Sequence, residues 1–120
     1  MTKILAVDDS ASMRQMVTFT LKSAGFDVTD ASDGDEALNI AKSQAFDVVI
    51  TDVNMPNMDG ISLCKELRNL PSFKFTPILM LTTESSAEKK QAGRSAGATG
   101  WIVKPFNPDQ LLATVNKVVG

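Results

Sequence analysis

The residues best suited to chemistry lie at the ends of short apolar runs. Three of these runs are followed directly by Asp8 and Asp9, by Asp52 and by Lys104, and a fourth ends in Thr82. Clustered carboxylates repel one another and raise one another's pKa unless a cation is present. With neither histidine nor cysteine nearby, the oxygen-only ligand set favours a hard cation, and Mg²⁺ fits it best.

These side chains together suit the transfer of a phosphoryl group. Such transfer needs mainly positioning and neutralisation of charge, which Lys104 and a metal ion would supply. Thr82 can donate a hydrogen bond to a phosphoryl oxygen, and a carboxylate can itself act as the nucleophile. Asp52 is the candidate nucleophile because it follows the central strand that looks most buried. The chain contains no histidine, so any imidazole chemistry must come from a partner.

Each residue alone also has a structural interpretation. The aspartate pair before Ser10 is typical of a helix N-cap, and Asp52 alone would suit a turn. Thr82 suits the end of a strand by propensity, and a single lysine such as Lys104 is most often solvated. The functional interpretation therefore depends on these residues meeting at one place.

The hydrophobic pattern predicts strands that alternate with helices, five times over. Strands are predicted at 4–7, 26–30, 47–51, 77–82 and 101–103, and helices at 11–24, after Asp33, around Leu63, Leu67 and Leu70, at Glu84–Ala96 and around Leu111 to Val119. This order indicates an α/β fold with a parallel sheet between two helical layers. Ligands of such sheets bind beyond the carboxyl ends of the strands, which is where the candidate residues lie. Asp30 also ends a strand, so position alone does not select the site.

Composition excludes several classes of protein. The chain has 120 residues and a net charge of −2, which fits one domain and argues against nucleic-acid binding. Cys64 is the single cysteine, so no internal disulfide is possible. No apolar run suits a membrane span or a signal peptide. We expect a cytoplasmic monomer consisting of a single domain, 1–120, with no output domain because the last helix leads directly to Gly120.

Four segments carry a family resemblance. They are Val7-Asp8-Asp9-Ser10, Asp52-Val53-Asn54-Met55-Pro56-Asn57-Met58-Asp59-Gly60, Leu81-Thr82-Thr83 and Lys104-Pro105-Phe106. In this order and spacing the chain resembles the response-regulator receiver domains of two-component signalling over essentially its whole length. It is most similar to the single-domain chemotaxis regulators. The resemblance implies a flavodoxin-like, five-stranded parallel sheet of order 2-1-3-4-5 with five helices on its two faces.

The resemblance also implies the ligands of the metal ion. Asp52 would be the phosphoacceptor. Asp9 and Asp52 would bind Mg²⁺ through their side chains, Asn54 through its backbone carbonyl, and Asp8 through bound water.

Further roles follow from the resemblance for residues around the phosphoryl group. Thr82 and Lys104 would contact that group, and the Lys104–Pro105 peptide bond would be cis. In the family, an aromatic side chain at the position of Trp101 turns inward as the threonine moves. Tyrosine or phenylalanine is commoner there than tryptophan, and an anchor for the last strand is the alternative role of Trp101.

The fourth predicted helix is the candidate docking surface. It carries Lys89, Lys90 and Arg94, and an ordinary solvated face is the alternative interpretation. Glu84, together with Asn54, lies at a position where family members tune dephosphorylation, and this pairing implies a short-lived phosphoryl group.

The resulting expectation is a stand-alone response regulator rather than an enzyme. A partner sensor histidine kinase would phosphorylate Asp52, and the altered surface of the fourth helix, fifth strand and fifth helix would bind a target such as a flagellar motor switch protein. A separate phosphatase is a possible further partner. A phosphorelay intermediate or phosphate sink is one alternative.

Two alternatives belong to other classes. A phosphatase of the haloacid dehalogenase type also uses an aspartate nucleophile with Mg²⁺, but the acid it needs two residues later is here Asn54. A flavodoxin would need a phosphate-cradling loop after the first strand, where Asp8 and Asp9 would repel phosphate.

Overall fold

In the computed structural model, five parallel strands form one sheet with helices on both faces. The structure describes residues 2–83 and 87–119, apart from the side chains of Ala87 and Lys89. The strands are β1 (Lys3–Val7), β2 (Asp27–Ala31), β3 (Val48–Asp52), β4 (Ile78–Thr82) and β5 (Gly100–Val103). The helices are α1 (Ala11–Ser23), α2 (Gly34–Ser43), α3 (Gly60–Arg68), α4 (Ala87–Ala96) and α5 (Pro108–Val119), with a short 3-10 helix at Pro71–Phe73.

The strand order confirms the predicted α/β fold class. It is β2-β1-β3-β4-β5, and all four pairings are parallel. The carboxyl ends of β1, β3, β4 and β5 therefore share one edge of the sheet. β3 and β4 are buried over their whole length, as expected of strands covered on both faces.

Two cores lie on opposite faces of the sheet because successive side chains of a strand alternate between them. Val17 and Leu21 of α1 pack with Leu111 and Val115 of α5 on one face. The other face is covered by α2, α3 and α4, and its buried side chains include Ala37, Leu63, Leu67, Phe73, Met80 and Ala96. These two cores fix the strand ends relative to one another.

Local signals set several helix ends. Asp33 caps α2 by accepting a hydrogen bond from the Glu36 amide at 2.8 Å, as predicted. Gly25 follows α1 with φ of 96°, which suits a glycine after a helix. Asn107 and Gln110 form a reciprocal capping box at α5, with bonds of 2.8 and 2.9 Å.

Some predicted boundaries were wrong by one or two residues. α3 ends at Arg68, so Leu70 lies beyond it, where Pro71 prevents the helix from continuing. β2 begins at Asp27 rather than Phe26, because the Phe26 amide closes the end of α1 on the Leu21 carbonyl at 3.1 Å. The predicted beginning of the fourth helix at Glu84 lies outside the described residues.

Candidate functional site

The carboxyl edge of the sheet brings Asp8, Asp52 and Lys104 into contact. The Lys104 ammonium lies 3.4 Å from Asp8 Oδ2 and 3.3 Å from Asp52 Oδ1. Asp8 and Asp52 are 2% and 7% exposed, so this ion-pair network is shielded from water. The ammonium therefore bridges the ends of β1 and β3, although Lys104 follows β5.

A third carboxylate joins this cluster at its exposed side. Oxygens of Asp8, Asp9 and Asp52 lie within 4.8 Å of one another. The N-cap of α1 is Ser10, whose hydroxyl accepts from the Met13 amide at 3.3 Å. The aspartates are thus not the N-cap residue, although Asp8 Oδ1 also accepts a hydrogen bond from the Ser10 amide at 2.9 Å.

The electrostatic environment of Asp52 disfavours its charged form. Burial raises the pKa of the Asp52 carboxyl above its ordinary value, the Lys104 ammonium opposes that rise, and the Asp8 carboxylate adds to it. Lys104 therefore offsets only part of the unfavourable environment. A divalent cation among the three carboxylates would offset more of it.

The remaining predicted residues of the site lie around this cluster. Thr82 is the last residue of β4 and is 1% exposed. Asn54 lies two residues beyond the end of β3, with its side chain exposed. The Lys104–Pro105 peptide bond is cis. The metal-binding role of the Asn54 carbonyl stays a prediction.

Arg14 is a supporting residue that the sequence reasoning missed. Its Nη1 donates to the backbone carbonyl of Asp8 at 2.8 Å, and its Nε donates to Asp30 Oδ2 at 3.0 Å. Asp30 was predicted to end the second strand, but β2 continues to Ala31, and Asp30 is the partner of Arg14 rather than a member of the carboxylate cluster. The signal available in the sequence was an unexplained acid in the second predicted strand and a cation near the beginning of the first predicted helix.

Gly60 is a second residue whose role was missed. A Cβ at this position would collide with the backbone carbonyl oxygen of Asp52. The Gly60 amide also donates to the Val53 carbonyl at 2.9 Å. The first turn of α3 is thus packed directly against the backbone of Asp52, and only glycine permits this approach.

The predicted docking surface is described in part. Trp101 is half-buried, Lys90 is half-buried and Arg94 is exposed. Glu84 and the side chain of Lys89 lie outside the described residues. A groove borders Trp101 between β5 and α5, lined by Trp101, Ile102, Val103, Phe106, Gln110, Ala113 and Thr114.

Comparison with known families settles the class of the chain. Residues 4–116 match the model of the response regulator receiver domain. The chain belongs to the response-regulator receiver family. The residues of the cluster lie at or just beyond strand ends of this receiver domain, as the hydrophobic pattern predicted.

Solved structures and curated relatives support the same assignment. The receiver domain is 59% identical to chemotaxis protein CheY4 of Vibrio cholerae, with a TM-score of 0.96 and 98% of each chain covered. It is 41% identical over 117 residues to the probable transcriptional regulator ycf27 of Porphyridium aerugineum and 40% identical to the regulatory protein PhoP of Bacillus subtilis. Each of these two matches includes 98% of the chain but only 48% of the relative. The chain therefore spans about half the length of these curated relatives.

Receiver domains bind Mg²⁺ at an acidic pocket, and the cluster of this receiver domain has the donors for it. A similar structure, the receiver domain of sensor histidine kinase PA1611 from Pseudomonas aeruginosa, has a magnesium ion coordinated in its active site cleft. It is 28% identical, with a TM-score of 0.92 and 99% and 98% of the two chains covered. The donor set here consists of three carboxylates, which suits a hard cation. Within the described ranges, no helix has the length and apolar character needed to cross a membrane.

Proposed function

We propose that this chain is a phosphorylation-driven binding switch of the chemotaxis type. A partner histidine kinase would supply the phosphoryl group, Asp52 would carry it, and the surface formed by α4, β5 and α5 would then bind a target protein. The observation that carries this proposal is the Lys104 ammonium bridging Asp8 and the buried Asp52 at 3.4 and 3.3 Å. The positive charge of Lys104 thus lies beside the Asp52 carboxylate, which would carry additional negative charge once it is phosphorylated.

The chemistry of this step is a transfer between a nitrogen and an oxygen. One carboxylate oxygen of Asp52 would form the new bond to phosphorus while the bond to the donor's imidazole nitrogen breaks. The imidazole leaves with the electron pair and takes a proton, and an acyl phosphate remains on Asp52. Lys104 would then contact the phosphoryl oxygens, and Thr82 would donate a hydrogen bond to one of them.

Three carboxylates of the chain suit the metal ion that this step requires. Asp8, Asp9 and Asp52 would hold Mg²⁺ together with the Asn54 carbonyl. When bound, Mg²⁺ neutralises charge on the transferring phosphoryl group. Asp8 and Asp9 follow β1 while Asp52 ends β3, so the pairing of these two strands fixes the spacing of the ligands.

The chemotaxis role is supported by the degree of similarity. The chain is 59% identical to a chemotaxis protein over nearly all of both chains and 28% identical to the receiver domain of a sensor histidine kinase. The target would dock at the groove beside Trp101, where Val103 is 42% exposed. A flagellar motor switch component in the cytoplasm is the target we propose, and the protein would act as a monomer without being an enzyme on other substrates.

The direct test is incubation of the purified protein with Mg²⁺ and acetyl phosphate. We expect one phosphoryl group per chain, stable in acid and labile in base, as an acyl phosphate is. The adduct should be absent in Asp52→Asn and after chelation of the metal. Intact-mass spectrometry measures both the stoichiometry and the lability.

A matched control is Asp27→Asn, because Asp27 is exposed at the opposite end of the strands. This variant should incorporate one phosphoryl group like the unsubstituted protein. An adduct that persists in Asp52→Asn would contradict the proposed acceptor. Transfer of the label from Asp52 onward to a histidine phosphotransfer protein would instead support the phosphorelay role.

Arg14→Gln should weaken Mg²⁺ binding by about tenfold, because partners that orient the ligands of a metal typically contribute 10–100-fold to affinity. The change removes the bonds to the Asp8 carbonyl and to Asp30 while leaving every carboxylate in place. Titration calorimetry with MgCl₂ measures the affinity. Arg94→Gln, at an exposed position of α4, is the control and should bind as the unsubstituted protein does; equal affinities in all three proteins would exclude this role of Arg14.

A further inference from the structure

Gly93 lies in the interior of a helix, where glycine is unfavourable. It is the seventh residue of α4, which spans Ala87–Ala96. Glycine has the poorest helix propensity of any residue except proline, because its backbone is the most flexible. Gly93 has no positive φ that would require it. Its presence therefore calls for a packing reason.

The indole of Trp101 supplies that reason. A Cβ at residue 93 would collide with Cζ2 of Trp101, and it would lie 3.1 Å from Cη2 and 3.3 Å from Cε2 of the same ring. All three atoms belong to the six-membered ring of the indole. That ring consequently rests directly on the backbone of α4 at Gly93.

Trp101 connects this contact to two other parts of the domain. It is paired in register with Met80 of β4, and Val103 is paired with Thr82 two residues further on. Trp101 packs on the core beneath α2, α3 and α4. It also lines the groove between β5 and α5, together with Phe106 and Thr114.

We propose that Gly93 is a positioning residue that seats Trp101 against α4 and thereby sets the shape of the groove between β5 and α5. The relevance of that groove to signalling rests on the proposed function. The contact between Gly93 and the Trp101 ring, which we call the Trp101 seat, is independent of that function. With alanine at 93, the indole must move away from α4, and the groove is the open side available to it. The indole at position 101 can therefore occupy this place only because residue 93 has no Cβ.

A thermal double-mutant cycle tests the pairing. Gly93→Ala alone should lower Tm, because the collision outweighs the gain in helix propensity. In a Trp101→Phe background the same change should raise Tm by about 3–6 °C, since phenylalanine lacks the outer indole atoms and only the propensity gain remains. Circular dichroism measures both. A gain in Tm in both backgrounds would overturn the proposal.

Fluorescence gives a second measurement that a general loss of stability would not produce. Trp101 is the only tryptophan and the chain has no tyrosine, so emission reports this ring alone. We expect a red-shifted emission maximum and stronger acrylamide quenching in Gly93→Ala. Ser95→Ala, at an exposed position of the same helix, is the control and should leave the spectrum unchanged. An unchanged spectrum in Gly93→Ala would also overturn the proposal.

The groove itself is followed by amide chemical shifts. Gly93→Ala should shift the amides of Ala113 and Thr114, which line the groove on α5, more than Ser95→Ala does. Equal shifts would refute the link between the Trp101 seat and the groove. All these measurements use unphosphorylated protein. A failure of Asp52 to accept phosphoryl groups would therefore refute the proposed function without affecting the proposed role of Gly93.

Discussion

Replacing Gly60 by alanine is expected to destabilise the fold by about 3 kcal/mol and to slow phosphorylation by acetyl phosphate about a hundredfold. The added Cβ would collide with the Asp52 carbonyl oxygen, and a backbone atom cannot rotate away as a side chain can. Either α3 or the end of β3 must shift, and a displacement of about 1 Å at a reacting group costs roughly 10²-fold in rate. Urea denaturation and intact-mass kinetics measure the two effects.

Gly100→Ala is the matched control for this prediction. Its added Cβ would lie 3.3 Å from Cδ2 of Leu79, the end of a flexible side chain that can adjust. We expect it to change the unfolding free energy by less than about 1 kcal/mol and the phosphorylation rate hardly at all. If the two variants behaved alike, close packing of α3 against Asp52 would not explain the glycine.

Lys104→Met is expected to destabilise the metal-free protein by about 3 kcal/mol at pH 7. The ammonium is the cation that contacts both Asp8 and Asp52, and both carboxylates are buried. Removing one partner of a buried ion pair leaves charges that are neither solvated nor compensated, which typically costs 3–5 kcal/mol. Chemical denaturation in the presence of a chelator measures this loss, and added Mg²⁺ should recover part of it.

The pH dependence of this loss has a definite sign. The pKa of Asp52 is already raised in the folded protein, and Lys104 is the main influence that lowers it. Without Lys104 the pKa of Asp52 rises further, so its ionised form at neutral pH is more costly. The part of the loss that comes from Asp52 should shrink as pH falls through this raised pKa and should vanish below the ordinary value of 3.8.

Lys117→Met is the control for charge removal alone. Lys117 is in the last turn of α5 and is exposed, so the same chemical change there should alter the unfolding free energy by less than about 0.5 kcal/mol. A loss in Lys104→Met that is independent of pH between 4 and 7.5 would contradict the contribution assigned to Asp52. It would point instead to lost packing of the lysine side chain.

Much of the fold was predictable because its signals are local. The central strands were recognisable as short apolar runs because β3 and β4 are buried on both faces. Asp33 marked the beginning of α2 through its side-chain carboxylate, and Gly25 marked the end of α1 through its positive φ. One error occurred where another element competed for a residue. Phe26 was assigned to β2, but its amide is used by the end of α1.

By itself, the sequence determined the types of the residues of the site and the edge of the sheet at which they lie. Alternation of apolar runs and helical stretches places Asp8, Asp52 and Lys104 after strands, and parallel strands direct those ends to one side. These 120 residues include no histidine, so no phosphohistidine can form among them. These conclusions depend only on residue identity and order along the chain.

Only the tertiary structure decided which of these acids act together. Asp30 lies near the carboxyl end of β2, one residue before Ala31, and Asp52 is the last residue of β3. Asp30 nevertheless pairs with Arg14 at 3.0 Å, while Asp52 faces Lys104 at 3.3 Å. The distinction depends on side chains that come from distant parts of the chain and on the burial that removes water from Asp52 but not from Asp30. Distance and desolvation arise from packing, and no local pattern in the sequence encodes them.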